Sequence, residues 1–310
     1  MKKQCVLLLF TAFLVVSPVN LETVFAGYIV AWGNNSYYQC NTPRGEDFIA
    51  VSAGRFHNLA LKADGSITAW GNNIYGQCNV PAGNDFIAIA AGAWHSYALK
   101  ADGSISAWGC NNNNQCDVPE GKNFAAIAAG GYHGLALKAN SDLVAWGDDT
   151  YGQCSVEVGN NKIVNISAGW SHSMALKEDG SALLWGKNTY IKYNVPANSD
   201  LVSVAFGEFH NLGLRPNGAL LAWGNNTYGQ CNIPLGTDFV AVSTGSYHSL
   251  AIRSDVSAFT WDNSSYKIPK ELVHRDENYG QNPSMAVVQE PVVLLLLGCC
   301  VVILAKIKRS

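Results

Sequence analysis

The sequence predicts an all-β protein, a β-propeller of about seven blades with one incomplete, six blades being the alternative. Three observations predict it. Trp32, Trp70, Trp108, Trp146, Trp185, Trp223 and Trp261 stand 38, 38, 38, 39, 38 and 38 residues apart. Histidines at 57, 95, 133, 172, 210 and 248 keep step with them, each inside a G-x-x-H. Between these markers one unit recurs, seen most cleanly as FIAIAAGAWHSYALKADGSISAWG from Phe86 to Gly109. It continues as N-N-x-Y-G-Q-C-N-V-P from Asn72 to Pro81 and, with Ile for Val, from Asn225 to Pro234. Self-similarity at a fixed period of this length marks a repeat architecture, and it runs from about 28 to 262 without a linker or second domain.

Within a unit, FIAIA, HSYALK and SISAWG are short, apolar-rich and bounded by glycine or Asp-Gly, which reads as strands. Asp64-Gly65, Asp102-Gly103, Asp179-Gly180 and Asn217-Gly218 are expected to make type I′ turns between the second and third strands. The third and sixth copies carry Asn140-Ser141 and Asp255-Val256 instead, so looser turns are expected there. Three or four short antiparallel strands cannot bury both faces alone, and packing the sheets radially about an axis solves that problem. Each tryptophan then fills the gap between neighbouring blades, where truncation to Ala would cost roughly 3–5 kcal/mol.

The ends do not belong to the repeat. Lys2 and Lys3, then the apolar run Cys5 to Val16 and Val24-Phe25-Ala26, have the order of a secretory signal peptide over 1–26. Without the two basic and apolar ends the chain holds 15 basic and 22 acidic residues, a net charge of about −7. An acidic chain lacks the clustered Lys and Arg that phosphate backbones require, so nucleic acid is excluded as a partner. Val292 to Ala305 is uncharged and followed by Lys306, Lys308 and Arg309. Fourteen residues fall short of the roughly 20 of an ordinary spanning helix, and a plain C-terminal membrane anchor is the bland reading of 284–310.

The A-W-G, Y-G-Q-C-N-V-P, A-A-G-x-x-H and L-A-L-K-x-D-G segments resemble the regulator of chromosome condensation family of propeller repeats over about three-quarters of the chain. The short period is most similar to the bacterial, exported members of that family, including the propeller-type β-lactamase inhibitory protein. The resemblance implies seven blades. Here there are six full copies and a seventh A-W-G strand at Ile29 to Gly33, and the last copy decays after Trp261. Gln289-Glu290-Pro291, the apolar run and the basic tip resemble a PEP-CTERM sorting signal. A sorting signal or an anchor would place the exported chain at a bacterial envelope, away from any cytosolic GTPase.

Few residues invite chemistry. The six histidines occupy one position per copy, which spreads them around the axis and keeps them from a common metal centre. They are expected to be buried groups hydrogen-bonded to backbone. Six identical copies also lack the differentiated acid, base and nucleophile of an active site, so no catalytic residue, metal or cofactor is expected. Cys40, Cys78, Cys116, Cys154 and Cys231 fill one repeat position and are read as buried free thiols. Cys110, six residues before Cys116, leaves a local disulfide open. The Asn-rich turns, and Asp148-Asp149 in their place, fall short of a calcium ligand set.

The variable position lies between Gly and His: Arg55-Phe56, Ala93-Trp94, Gly131-Tyr132, Trp170-Ser171, Glu208-Phe209 and Ser246-Tyr247. Every copy keeps one aromatic while its neighbour changes charge and size. Phe56, Trp94, Tyr132, Trp170, Phe209 and Tyr247 are therefore expected to form one exposed aromatic face with the composition of a protein-binding hot spot. In the resembling inhibitory propeller, aromatic residues on the loops of one face make the contact surface. The alternative is that the rings seal the blade interfaces. The functional expectation is a monomeric, non-enzymatic module for a protein partner, with membrane contact through the C-terminal segment. Inhibition of an extracellular or periplasmic enzyme is the runner-up, and a propeller lyase or hydrolase the rival class.

Overall fold

The computed structural model describes residues 28–33, 35–45, 47–156, 162–187, 195–196, 199–244, 249–253, 257–261, 286–289, 292–295 and 300–305. Every regular element among them is a β-strand. The first sheet holds β2 (Phe48–Ala53), β3 (His57–Lys62) and β4 (Ile67–Gly71); the second holds β5 (Phe86–Ala91), β6 (His95–Lys100) and β7 (Ile105–Gly109). The third is β8 (Phe124–Ala129), β9 (His133–Lys138) and β10 (Leu143–Gly147), and the fourth is β11 (Ile163–Ala168), β12 (His172–Lys177) and β13 (Ala182–Gly186). The fifth is β14 (Ser203–Phe206), β15 (His210–Leu214) and β16 (Leu220–Gly224). In the sixth, β17 (Phe239–Thr244), β18 (Ser249–Arg253) and β19 (Ser257–Trp261) gain a fourth strand, β20 (Ala286–Gln289).

A seventh sheet joins the two ends of the chain. β1 (Tyr28–Gly33) pairs antiparallel with β22 (Cys300–Ala305), and β22 pairs with β21 (Val292–Leu295). That sheet packs against β2 on one side and β17 on the other, so the ring of seven sheets closes. The tail expected as a sorting signal or anchor thus supplies backbone to the sixth and seventh sheets. Among the described residues no helix is long and apolar enough to cross a membrane.

Each blade buries two different faces. On β3, Leu59 and Leu61 point forward, joined by Ile67 and Ala69, and pack against Phe86, Ile89, Ala91, Ala98 and Trp108 of the next blade. From that next blade Ala88, Ala90, Tyr97 and Leu99 face onward to Phe124, Ile127, Ala129, Ala136 and Trp146. Successive residues of a strand point to opposite faces, so L-A-L and Y-A-L place large side chains forward and an alanine backward. The alanine leaves room for the neighbour's leucine, and the tryptophan closes the outer part of the gap. The core is therefore a set of repeated interfaces rather than one centre. Trp108, Trp146, Trp185 and Trp223 are buried as expected, whereas Trp70 is half-buried. The Trp32 and Trp261 side chains lie outside the described residues.

The hairpin turns differ from expectation. Type I′ requires positive φ at both central residues, but only the glycine has it: Gly65 at 83°, Gly103 at 80°, Gly180 and Gly218 at 78°. The Gly65 N–H donates to the Lys62 carbonyl and the Lys62 N–H to Ser66. This is a three-residue loop, a type I turn followed by one left-handed residue. Asp64 accepts from the Ser66 N–H and hydroxyl, which holds the Asp in the ordinary region. The third copy is not looser either. Ser141 takes φ 69°, its N–H donates to the Lys138 carbonyl, and the Lys138 N–H donates to the Asp142 carbonyl, as in the other copies. The sixth copy's turn lies outside the described residues. Because a left-handed non-glycine residue costs roughly 1–2 kcal/mol, Ser141→Gly is expected to stabilise the protein by about 1 kcal/mol. A rise in the urea midpoint without change in slope checks it.

Candidate functional site

In the first five sheets the register sets His opposite the glycine that ends the third strand, as His57 faces Gly71 and His95 faces Gly109. The G-x-x-H loop and the N-N-x-Y-G-Q loop therefore emerge at the same end of each sheet. The Lys-x-Asp-Gly turns, with ion pairs such as Lys62–Asp47 and Lys100–Asp85, lie at the opposite end. One end of the propeller is aromatic and amide-rich, and the other is charged.

The G-x-x-H glycines line the axis. A Cβ on Gly54 would lie 2.3 Å from the Gly92 carbonyl oxygen, and one on Gly92 would lie 2.6 Å from that of Gly130. The same Cβ atoms would strike the rings of His57 and His95. The backbones of neighbouring blades approach this closely only because the side chain is absent. Together with Ala91, Ala129 and Ala168 these loops surround a narrow axial cavity of about 60 Å³.

The described histidines are buried, and three of them meet a serine of the next blade rather than the expected backbone group. His57 Nε2 meets Ser96 Oγ of the next blade at 2.9 Å, His133 meets Ser173 at 2.8 Å, and His210 meets Ser249 at 2.7 Å. Each of these serines donates onward to a glutamine carbonyl, Gln77, Gln153 and Gln230. Burial pushes the His57 and His95 rings down to about 3 and His133 to about 4. His95 lacks a serine ahead of it, because Gly134 stands there. The space is taken by Tyr97, whose hydroxyl donates to the Gln115 carbonyl in the missing serine's place. The ring of His95 packs 4.7 Å from Tyr97 and makes no hydrogen bond. His248 lies outside the described residues.

The N-N-x-Y-G-Q loops are rigid frames. Asn72 Oδ1 accepts from the Ile74 N–H and from Gln77 Nε2, and Gln77 Oε1 accepts from the Tyr75 N–H. Asn73 accepts from the Cys78 N–H and donates to Asn79. The Gln77 carbonyl then receives both Ser96 and Trp108 Nε1 from the next blade. Asp148 and Asp149 accept the same bonds as the asparagines they replace, which explains them without a cation. Among the described residues no three His, Cys, Asp or Glu converge as metal ligands. The repeat cysteines are half-buried rather than buried, and Cys78 and its equivalents Cys154 and Cys231 donate to the carbonyl six residues earlier. Cys110 and Cys116 are free thiols, with Cys116 donating to the Cys110 carbonyl.

On these frames sit two tiers of rings. The inner tier holds Phe56, Trp94, Tyr132, Trp170 and Phe209, all half-buried rather than exposed; Tyr247 lies outside the described residues. Phe56 packs at a tilt on Trp94, ring centroids 4.9 Å apart, and Tyr132 packs edge-on to Trp170 at 5.6 Å. Trp170 is displaced, since it stands first between Gly and His where the others stand second, and it lines the axial cavity. The outer tier was not singled out from the sequence. Tyr75, Tyr151 and Tyr228 are 47–48% exposed, and Tyr38 and Ile74 about 70%. Tyr37 packs edge-on to Phe56, and Tyr75 to Trp94. The signal was present as the tyrosine of each Y-G-Q, hidden among turn-forming residues.

Five segments, 48–77, 86–115, 124–153, 163–191 and 201–230, match the Regulator of chromosome condensation (RCC1) repeat. The first five sheets carry RCC1 repeats. Solved RCC1-type propellers share the architecture. Prp20p from Saccharomyces cerevisiae, described with its binding properties to Gsp1p and histones, superposes with a TM-score of 0.73 at 19% identity, covering 92% of this chain and 93% of its own. Human WBSCR16 gives 0.72 at 13% identity, covering 90% and 100%. The ectodomain of the Physcomitrella patens receptor kinase CR4 gives 0.65 at 22% identity, covering 83% and 80%. At these identities the likeness speaks for the fold. No curated protein sequence matches the chain. In the five matched repeats the motif is a scaffold element: Gly, His, Gln and Trp hold blade to blade, with other residues between them facing outward.

Proposed function

We propose that this RCC1 propeller is a non-enzymatic protein-binding module whose partner docks on the two-tier aromatic end. The carrying observation is the composition of that end: Tyr, Trp, Phe and Asn on frames whose own polar groups are already hydrogen-bonded. Rings held this way offer large contact area with little conformational entropy to lose, as in antibody paratopes. The asparagines' internal bonding speaks against a sugar ligand, which would need those amides free. The protein binding described for Prp20p is consistent with the reading. Immobilised chain is expected to retain a discrete protein from envelope or culture fluid. Tyr75→Ala and Trp94→Ala should each weaken it by about 2 kcal/mol, with the melting temperature within a few degrees of the parent. Retention that ignores both substitutions would move the contact elsewhere. If the partner is an enzyme, loss of its activity on binding distinguishes inhibition from docking alone.

Export belongs to the same proposal. Removal of 1–26 would leave β1, which begins at Tyr28, intact as the new N-terminal strand. Pairing of β22 with β1 and β21 takes these strands into the ring, so in this reading a sorting or anchoring role of 284–310 precedes ring closure. Cell fractionation of the full chain against a chain ending at 283 tests it: both should be exported, and only the full chain should pass through a membrane-bound stage.

A further inference from the structure

At the centre of the aromatic end stands a cation with no acceptor among the described residues. Arg55 comes from the loop after β2, and its guanidinium carbon lies 4.5 Å from the ring centroid of Trp170, in the fourth sheet, and 5.0 Å from Phe56. The contact therefore crosses the mouth of the axial cavity, which both residues line. Gly131 makes room for it: a Cβ there would lie 2.4 Å from the Trp170 carbonyl oxygen and 3.2 Å from its indole. Among the described residues the Arg55 guanidinium has no ion pair or side-chain hydrogen bond.

A guanidinium held over ring faces has spent no N–H on an acceptor, and its fork matches a carboxylate two to two. We infer that Arg55 is the anchor for one carboxylate, the Asp or Glu side chain of a docked protein partner, seated at the mouth of the axial cavity. The inference rests on the protein-binding reading. Three features choose the ligand. The cavity is small, about 60 Å³, enough for the tip of a side chain. Arg55 is the one cation among its lining residues, and Glu208 lies on the far wall, which disfavours a phosphate dianion. A partly exposed ion pair by itself contributes little, so a free small anion would not be held. A carboxylate carried by a protein gains the surrounding contact with Phe56, Trp94, Tyr37 and Tyr75, and it meets a fork already fixed by two rings.

Random twelve-residue peptides displayed on phage provide the test, selected against the full chain and against Arg55→Gln. On the parent protein the enriched peptides should carry an Asp or Glu beside aromatic or aliphatic residues. On Arg55→Gln the acidic preference should disappear while the apolar preference persists. The best acidic peptide should lose at least tenfold in affinity to Arg55→Gln, and its Asn counterpart should not change. Arg55→Lys keeps the charge but not the fork; it should weaken the acidic peptide several-fold and serves if the Gln variant folds poorly. Enrichment without acidic preference, an unchanged preference on Arg55→Gln, or no enrichment overturns the anchor. So does acetate alone competing as well as the peptide, since the site would then take free carboxylates. Protein docking survives the first of these outcomes, because capture sensitive to Trp94→Ala tests it separately.

Discussion

Acidification is expected to unfold this protein between about pH 5 and 4, before its carboxylates are fully protonated. His57 and His95 remain neutral in the fold down to about 3 and His133 to about 4, because each ring is buried. In the unfolded chain the same side chains take a proton near 6.5. Above that pH they are neutral in both states and contribute no pH dependence. Below it the unfolded state binds more protons than the native state, so stability falls as pH falls, by about 1.4 kcal/mol per pH unit for each histidine. Three such groups together remove about 4 kcal/mol per unit, so two units remove about 8 kcal/mol, comparable to a typical stability of about 5–15 kcal/mol. The exposed Asp64, Asp102 and Asp179 are held below the usual carboxylate range mainly by their Ser or Lys partners and act in the same direction, only at lower pH. Urea unfolding at a series of pH values reads the slope. His95→Leu removes a ring without orphaning a serine, so it should reduce proton uptake by about one and lower the acid midpoint. A slope below one proton, or a folded protein at pH 3, would sink the account.

Trp108→Ala should cost roughly 3–5 kcal/mol, enough to lower the melting temperature by about 10 °C on the usual scaling. The ring is buried against Leu59, Leu61, Phe86 and Ile89 between the first two sheets, and Nε1 donates to the Gln77 carbonyl at 2.8 Å. Truncation empties that interface. The carbonyl keeps its bond from Ser96, so cavity formation rather than an orphaned acceptor dominates. Trp108→Phe should retain most of the packing and lose about 1 kcal/mol for the hydrogen bond. Trp70→Ala, at a half-buried ring, should cost less than Trp108→Ala. Equal losses at the two positions in denaturant melts would mean that burial between blades is not the source of the stability.

How legible the site was depended on the range of the interactions. The aromatic between Gly and His could be found because it recurs in all six copies, and its location at one end follows from strand alternation. That Trp170 leaves the ring for the axis could not be found, since a one-residue offset changes direction only through Gly131 in a neighbouring blade. The exposed tyrosines were masked by their local context: Asn, Gly and Gln around them read as a turn, and only the folded loop shows those amides bonded to one another and the ring left outside.

By itself the sequence determined what repeats. The 38-residue period, the strand-sized apolar runs and the L-A-L alternation required small sheets packed radially, because no single sheet of that size can bury two apolar faces. The tertiary structure alone decided what the repeats do to each other. Histidine reaches a serine one blade ahead, Tyr97 replaces a hydroxyl absent at Gly134, Arg55 meets Trp170 across the axis, and β1 pairs with β22 from the far end of the chain. Each of these joins residues at least 18 positions apart, where closure of the ring, rather than local propensity, brings the partners within a hydrogen bond or a ring contact.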